Sequence, residues 1–110
     1  MPNEGSEPET KVAVVMTCHN RRETTSRCLE ALQRQVDYDA TLSLFVTDDG
    51  SDDGTAEAIR ATWPDARILL GSGDLYWAAG MALAERAAMT DEPDFLLWLN
   101  DDTELRPDAL

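Results

Sequence analysis

Four short apolar runs alternate with helix-like stretches along this 110-residue chain. The runs do not alternate apolar with polar residues, so each is typical of a strand that is covered on both faces. Between the runs, apolar residues recur every three to four positions, as they do on one face of a helix. The predicted strands are 12–17, 42–47, 67–70 and 95–99, and the predicted helices are 21–33, 56–62 and 75–89.

Strands that alternate with helices through short connections predict an α/β fold, a Rossmann-like three-layer α/β/α arrangement with a mostly parallel sheet. We expect the strand order 3-2-1-4, which places the loops after the first and fourth strands side by side. Residues 1–10 are polar, acidic and contain prolines, which predicts a flexible leader. Residues 11–110 are then predicted to form one domain.

Local signals predict how two helices begin and where a third packs closely. Asn20 followed by Glu23 is typical of a helix cap with its reciprocal partner. Asp52 or Asp53 is predicted to cap the second helix. Gly80 lies inside the third helix, where glycine costs about 1 kcal/mol relative to alanine, so it predicts a close approach of another chain segment.

The charge of the chain narrows the class of ligand. Nine basic residues stand against 22 acidic ones, giving a net charge of −13 at pH 7. This charge repels nucleic-acid phosphates, and the basic residues form no separate stripe, so no nucleic-acid partner is expected. A smaller anionic ligand would need a divalent cation to bridge it to the chain.

The cysteines and the first residues bear on the cellular setting. Cys18 and Cys28 lie in no metal-binding spacing and are predicted to be reduced, structural residues. The first residues lack the positive and apolar segments of a secretory signal, which predicts a cytoplasmic location. In a longer form of the protein, the location would extend to the inner face of the membrane.

A first acidic cluster follows the second strand. Asp48 and Asp49 stand at the strand end, where open α/β sheets bind ligands, and are too early to cap the next helix. A calcium loop starting at Asp49 would need glutamate at its twelfth position, where Arg60 stands. A phosphatase-type nucleophile is absent because Ser51 occupies the place of the required aspartate.

A second polar cluster follows the fourth strand. Asn100, Asp101 and Asp102 carry the oxygen ligands that Mg²⁺ or Mn²⁺ prefers, and they would leave coordination positions for a diphosphate. Such a metal would neutralise a leaving nucleotide. The alternative is that these residues only open a turn before Pro107.

Four further residues have either a structural or a binding role. His19, the only histidine, is interpreted as a polar loop residue that bonds the backbone or a ligand ribose rather than as a general base. The rings of Tyr76 and Trp77 are candidates to stack on a base or sugar, and the alternative for Trp77 is packing in the core. Arg21 either contacts phosphate or solvates the start of a helix.

In chain order, the segments VAVVMTCHNR, LFVTDDGSDDGT, GSGDLYWAAGMALA and FLLWLNDDTEL resemble the successive motifs of the family 2 glycosyltransferases, which are inverting enzymes with the GT-A fold. This resemblance implies transfer of a sugar from a nucleotide-diphosphate donor to an acceptor hydroxyl, with Mg²⁺ or Mn²⁺. The implied donor is a UDP- or dTDP-sugar, and the implied acceptor is a saccharide or a lipid-linked molecule. The last two motifs most resemble bacterial rhamnosyltransferase-like enzymes of cell-surface polysaccharide synthesis.

The resemblance also implies roles for the matching positions. The residues placed along the nucleotide are Thr17, His19, Asn20, Arg21, Asp48, Asp49 and Gly80. The metal would be held by Asp102, with Asp101 and Asn100 beside it. Asn100 stands where the family motif has an aspartate, and its uncharged amide implies weaker binding of the metal.

The catalytic base of this family is a carboxylate on a later segment, which would lie beyond Leu110. We therefore expect this chain to form the donor-binding half, with little or no transfer on its own. An incomplete sheet would leave exposed edges and favour a homo-oligomer. Two alternatives stay open, a non-catalytic nucleotide-binding or regulatory module and a nucleotidyltransferase, although residues 17–21 lack the glycine-rich loop typical of the latter.

Overall fold

The computed structural model describes residues 10–35 and 40–109, so the predicted leader lies outside the described residues except for Thr10. The chain order is strand, helix, strand, helix, strand, helix, strand, as predicted. The strands are β1 (Thr10–Cys18), β2 (Ala40–Asp48), β3 (Arg67–Leu70) and β4 (Phe95–Trp98). The helices are α1 (Arg22–Gln33), α2 (Thr55–Thr62) and α3 (Tyr76–Met89).

The four strands form one parallel sheet in the order β3-β2-β1-β4, which confirms the predicted topology. β1 lies in the centre and pairs with β2 along its whole length, from Thr10 opposite Ala40 to Cys18 opposite Asp48. The register with β4 runs from Val12 opposite Phe95. Because all strands run in one direction, the loops after β1, β2 and β4 leave the sheet at the same edge.

Alternate residues of the central strand enter two separate cores, which makes the molecule a three-layer α/β/α structure. Val14 and Met16 are fully buried in a cluster with apolar residues of α1 and α2. Ala13 and Val15 are buried on the other face against α3, with Met81. Burial on both faces explains why the sequence of β1 is continuously apolar.

The predicted cap at Asn20 is wrong. Helix α1 begins after Arg21, and neither Asn20 nor Arg21 caps it with its side chain; the N–H of Arg22 instead donates to Asp53 Oδ2 at 3.1 Å. Asn20 instead takes a left-handed backbone conformation with φ of 50°, and its Oδ1 accepts the N–H of Asp52 at 2.8 Å. Asparagine tolerates this conformation, so it forms a turn that ties the loop after β1 to the loop after β2.

The start of α2 also differs from the prediction. Gly54 occupies the cap position with φ of 87°, so neither Asp52 nor Asp53 is the cap. Asp53 supports the helix from one residue earlier, because its Oδ1 accepts the N–H of Thr55 at 3.1 Å and also the Thr55 hydroxyl. The bond from the Thr55 hydroxyl lowers the pKa of Asp53, and the backbone N–H of Arg22 donates to the same carboxylate. Together these bonds outweigh burial, which would raise the pKa.

The edge strand β4 leaves apolar side chains in contact with solvent. Phe95 is 64% exposed, Trp98 is half exposed, and Leu96 lies between them on the strand. Leu70 at the end of the opposite edge strand is also exposed. Within the described ranges, no helix has both the length and the apolar character needed to cross a bilayer.

Candidate functional site

A cavity of about 570 Å³ opens at the edge of the sheet where β1, β2 and β4 end. It brings together residues from both acidic clusters, with Asp49 on one side and Asp102 on the other. The two clusters therefore face one shared space, as the predicted strand order requires. The lining residues are Thr17, Cys18, His19, Arg21, Asp49, Gly73, Tyr76, Trp77, Asn100, Asp101 and Asp102.

Asp49 organises the loop between β3 and α3. Its Oδ1 accepts the N–H of Gly73 at 2.8 Å, and its Oδ2 accepts the N–H groups of Leu75 and Tyr76, each at 3.0 Å. The residue is only 4% exposed, so these bonds replace most of its hydration. Burial would raise the pKa of Asp49, but the three N–H bonds outweigh it and hold the pKa below its usual value.

His19 is fixed by the same residue. Its Nδ1 lies 2.5 Å from the carbonyl oxygen of Asp49, and since a carbonyl only accepts, Nδ1 carries the hydrogen. The other ring nitrogen, Nε2, accepts a hydrogen bond from the amide of Asn20 at 3.4 Å. This arrangement matches the expected bond from His19 to the backbone and leaves its ring on the cavity wall.

Three predicted nucleotide-binding residues do not line the cavity. Asn20 lies behind His19 and joins two loops, as described above. The Asp48 side chain turns inward, where it is 3% exposed and accepts the N–H of Ser51 at 3.1 Å. Asp49, one residue past the end of β2, lines the cavity instead. Gly80 is buried beneath it.

Gly80 lets α3 approach the end of β1 closely, as the sequence predicts. A Cβ atom at this position would lie 2.9 Å from the Cβ of Thr17 and closer still to its hydroxyl. The carbonyl of Gly80 accepts the hydroxyl of Thr47 at 2.7 Å, which bonds the helix to β2. Gly80 therefore positions Thr17, a cavity residue, rather than contacting the cavity itself.

The two aspartates after β4 differ in exposure. The Asp101 side chain is 11% exposed and its Oδ2 accepts the hydroxyl of Thr25 at 3.3 Å, whereas the Asp102 side chain is 59% exposed. Burial raises the pKa of Asp101, and the nearby Arg21 and the Thr25 bond offset this only in part. Asp102 is therefore the carboxylate of this cluster that a ligand reaches most easily.

Arg21 connects these two carboxylates. Its Nη1 lies 3.6 Å from Asp101 Oδ1 and 3.7 Å from Asp102 Oδ2. One cationic nitrogen thus stands between an oxygen of each aspartate. The oxygens of Asp101 and Asp102 are arranged around a position that a cation occupies.

The donor set fits a divalent cation of the magnesium type. Carboxylate oxygens from Asp101 and Asp102 and the amide oxygen of Asn100 are hard ligands, and a cationic nitrogen already lies between the two carboxylates. Across residues 10–35 and 40–109, no cluster of three or more His, Cys, Asp or Glu side chains is arranged around a metal position. A metal here would therefore need ligands from the substrate as well.

Two aromatic residues outside the predicted nucleotide-binding set, Tyr76 and Trp77, line the cavity wall. Tyr76 is 74% exposed and Trp77 is 51% exposed, so the alternative that Trp77 packs in the core is wrong. The Trp77 Nε1–H donates to Asn100 Oδ1 at 3.2 Å, and its ring meets the edge of Trp98. The signal for this role was an aromatic pair at a helix start beside glycines.

Both cysteines are free and buried, as predicted. Cys18 lines the cavity, but burial and the carboxylate of Asp48 raise its thiol pKa far above the usual value. Burial raises the pKa of Cys28 to about 11, and its thiol donates to the carbonyl of Asn100 at 3.6 Å. Neither thiol is a nucleophile at neutral pH.

Comparison with known proteins shows the family to which the chain belongs. Among solved structures, the fold is similar to the mannosyltransferase PcManGT from Pyrobaculum calidifontis in complex with GDP-Man and Mn²⁺, with a TM-score of 0.65 and 22% identity. That similarity covers 93% of this chain and 30% of that one, so the chain spans about a third of its length. No curated protein matches the chain. A glycosyl transferase family 2 model matches residues 13–110, and the chain therefore belongs to that family.

Proposed function

We propose that this chain binds the donor of a metal-dependent, inverting sugar transfer, a nucleoside-diphosphate sugar, in the cavity between Asp49 and Asp102. The observation that carries the proposal is the convergence of two acidic loops and an aromatic wall on one space at the carboxyl edge of a parallel sheet. Ligands of open α/β sheets bind at this edge. Membership in glycosyl transferase family 2 gives the reaction class.

The charge inside the cavity supports a requirement for a divalent cation. Three carboxylates line it, and Arg21 is the only basic residue among the described lining residues. A diphosphate entering this space would face more negative than positive charge. When bound, Mg²⁺ or Mn²⁺ would hold the diphosphate and stabilise the charge that develops on it as the sugar leaves. Asp102, with Asp101 and Asn100, would hold the cation.

The remaining residues bind and orient the donor. The rings of Tyr76 and Trp77 present flat apolar faces to the cavity, suited to a nucleobase or a sugar ring. Thr17, whose hydroxyl donates to the carbonyl of Thr47 beside Gly80, forms a fixed part of the wall, and His19 offers its ring edge. Asp49 fixes the loop that carries the aromatic wall, and its Oδ1, which accepts one protein N–H, keeps a lone pair for a base N–H.

We further propose that the chain supplies the donor-binding half of the enzyme and not its catalytic base. A base must reach the acceptor hydroxyl with a free carboxylate oxygen. Among the described lining residues, Asp49 is held by three backbone bonds, Asp101 is bonded to Thr25, and Asp102 is assigned to the cation. The acceptor, a saccharide or lipid-linked molecule, would therefore meet its base on another segment.

The expected cellular location is cytoplasmic.

Calorimetry tests the donor site directly. UDP, dTDP and GDP are titrated into the chain with and without Mn²⁺, since the sequence favours UDP or dTDP whereas PcManGT is in complex with GDP-Man. We expect tight binding of one nucleotide with Mn²⁺ and a loss of tenfold or more in its absence. D102N should reproduce that loss. D74N is the matched control, because Asp74 is an exposed carboxylate outside the lining residues.

Other results would favour a different function. Nucleotide binding that ignores Mn²⁺ and survives D102N would favour a non-catalytic nucleotide-binding module. Sugar transfer to an acceptor by the 110-residue chain alone would contradict the absence of a base. Failure of all three nucleotides to bind would remove the proposal.

A further inference from the structure

Resting on the function proposed above, we infer that Arg21 is a built-in counter-cation that competes with the divalent metal for Asp102 and is released to the diphosphate when the metal binds. Arg21 Nη1 stands between the Asp101 and Asp102 carboxylates, at 3.6 and 3.7 Å. A divalent cation that takes the same oxygens must displace the guanidinium from at least one of them, because both charges cannot share the position.

The backbone around Arg21 is fixed while its side chain is free to move. The carbonyl of Arg21 accepts the N–H of Thr25 at 2.8 Å, which anchors the residue at the start of α1. Its side chain is 53% exposed and, within residues 10–35 and 40–109, forms ion pairs only with the two aspartates. The guanidinium is therefore able to swing from one anion to another without disturbing the helix.

Asp101 and Asp102 are unequal partners in this exchange. Asp101 is nearly buried and is also bonded to Thr25 through Oδ2, so it stays in place and needs a counter-charge. Asp102 is exposed, and a cation reaches it from the cavity. We assign the contact between Arg21 Nη1 and Asp102 Oδ2 as the one that is broken when the metal binds. The guanidinium then remains beside Asp101 and faces the diphosphate, to which arginine bonds well.

Loss of the Arg21 charge should change the affinities for metal and for nucleotide in opposite directions. An arginine with only a structural role would not give this result. Removing the Arg21 charge should strengthen binding of Mn²⁺ alone, because the two carboxylates lose their internal cation. The same change should weaken binding of UDP in the absence of metal, because the phosphate loses its only basic partner among the described lining residues. At low salt each effect should be about three- to tenfold, and both should shrink as salt screens the charges.

The test measures Mn²⁺ binding by electron paramagnetic resonance and UDP binding by calorimetry in R21Q, R21M and R21K. R21Q and R21M should both show the opposite shifts, and R21K, which keeps a cation, should stay near the wild-type values. R22Q is the matched control, since it removes the same charge one residue away but its guanidinium lies over Gly54 and outside the cavity lining. Using two neutral variants guards against one that folds poorly.

Three outcomes would overturn the inference. In the first, R21Q and R21M bind Mn²⁺ no more tightly than the wild type, while D102N loses Mn²⁺ binding. This result would support the proposed metal site and contradict only the role of Arg21. Another is a gain in R22Q as large as that in R21Q, which would reflect overall charge. The third is Mn²⁺ binding that D102N does not weaken, which removes the metal site itself and with it both proposals.

Discussion

The carboxylate of Asp49 holds the backbone of Tyr76, accepting its N–H at 3.0 Å where Tyr76 takes φ of 59°. A bulky residue at positive φ is strained by an amount on the order of 1–3 kcal/mol, so the surrounding structure must compensate. The bonds from Asp49 to Gly73, Leu75 and Tyr76 provide that compensation. As a result, the tyrosine ring is displayed on the cavity wall instead of packing in the core.

We expect D49N to lower the melting temperature at neutral pH and to weaken nucleotide binding. Both carboxylate oxygens accept backbone N–H groups, so the amide NH₂ of asparagine would face a donor whichever way it turns. Because the pKa of Asp49 is lowered in the fold, its stabilisation is complete above the usual aspartate value of about 3.9 and is lost as pH falls through the folded pKa. The stability gap between wild type and D49N should therefore narrow in acid.

Thermal unfolding followed by circular dichroism from neutral to acid pH checks this behaviour. D74N in the same loop serves as the control and should track the wild type throughout, since the Asp74 side chain is exposed. A gap that stays constant into strong acid, or no gap at neutral pH, would show that the Asp49 bonds do not stabilise the loop.

A second prediction concerns the contact between Gly80 and Thr17. We expect G80A to destabilise the fold by about 1–3 kcal/mol, because the added methyl overlaps the Thr17 side chain, and this outweighs the helix propensity gain of about 1 kcal/mol. Urea unfolding measures the change. The double variant T17A/G80A lacks the Thr17 hydroxyl that the new methyl would meet first. Adding G80A to T17A should therefore cost less stability than adding G80A to the wild type.

If G80A is as stable as the wild type, α3 must be able to shift away from β1. Nucleotide affinity separates the two cases further, since a shifted helix would also move Tyr76 and Trp77 and so weaken binding.

The features that the sequence predicts well are those that a short segment determines by itself. The apolar runs of β1 and β2 are unbroken because both faces of these strands are buried, and this is visible without any partner. The alternation of strands and helices predicts a parallel sheet, and the order 3-2-1-4 is one of the two orders common in such sheets. Gly80 signals its close contact because glycine is unfavourable in a helix and needs a reason to be there.

The features that the sequence does not predict depend on contacts between distant residues. Asn20 looks like a helix cap, but its side chain bonds Asp52, 32 residues away, through a turn that local pattern does not reveal. Likewise, Arg21 meets Asp101 about 80 positions later, so its pairing follows only from the folded sheet. Asp48 and Asp49 are the same residue type in sequence, but Asp48 ends β2 with its side chain buried, whereas Asp49 in the following loop lines the cavity.

A third prediction concerns the exposed strand β4. We expect the chain to self-associate through this edge, because Phe95, Leu96 and Trp98 present apolar surface beside unpaired strand backbone. F95K should reduce the association, since a lysine on an edge strand opposes pairing, and should leave the fold intact because Phe95 is exposed. Sedimentation velocity across a range of protein concentrations measures the effect.

M89K is the control for that experiment, as Met89 is an exposed apolar residue at the end of α3 and outside β4. Equal effects of F95K and M89K would indicate that added charge alone prevents association. A wild-type chain that is monomeric at all concentrations would contradict the prediction.

A fourth prediction uses the position of Trp77 as a reporter. Of the three tryptophans, Trp77 lines the cavity, whereas Trp63 packs against the core beneath α1 and α2. Binding of the nucleotide should therefore quench the fluorescence of Trp77. The quenching should disappear in W77F and persist in W63F, and both variants keep an aromatic ring at the changed position.

Affinity then distinguishes the ring of Trp77 from its hydrogen bond. W77A should lower nucleotide affinity by about two- to tenfold, the value of one aromatic contact, while W77F should keep most of it. If W77F loses as much affinity as W77A, the bond from Nε1 to Asn100 Oδ1 matters more than the ring, because that bond fixes the amide beside the proposed metal position. Because Trp98 lies 5.7 Å from Trp77 and also reports on this wall, quenching that survives in W77F and is lost in W63F would mean that the nucleotide binds elsewhere.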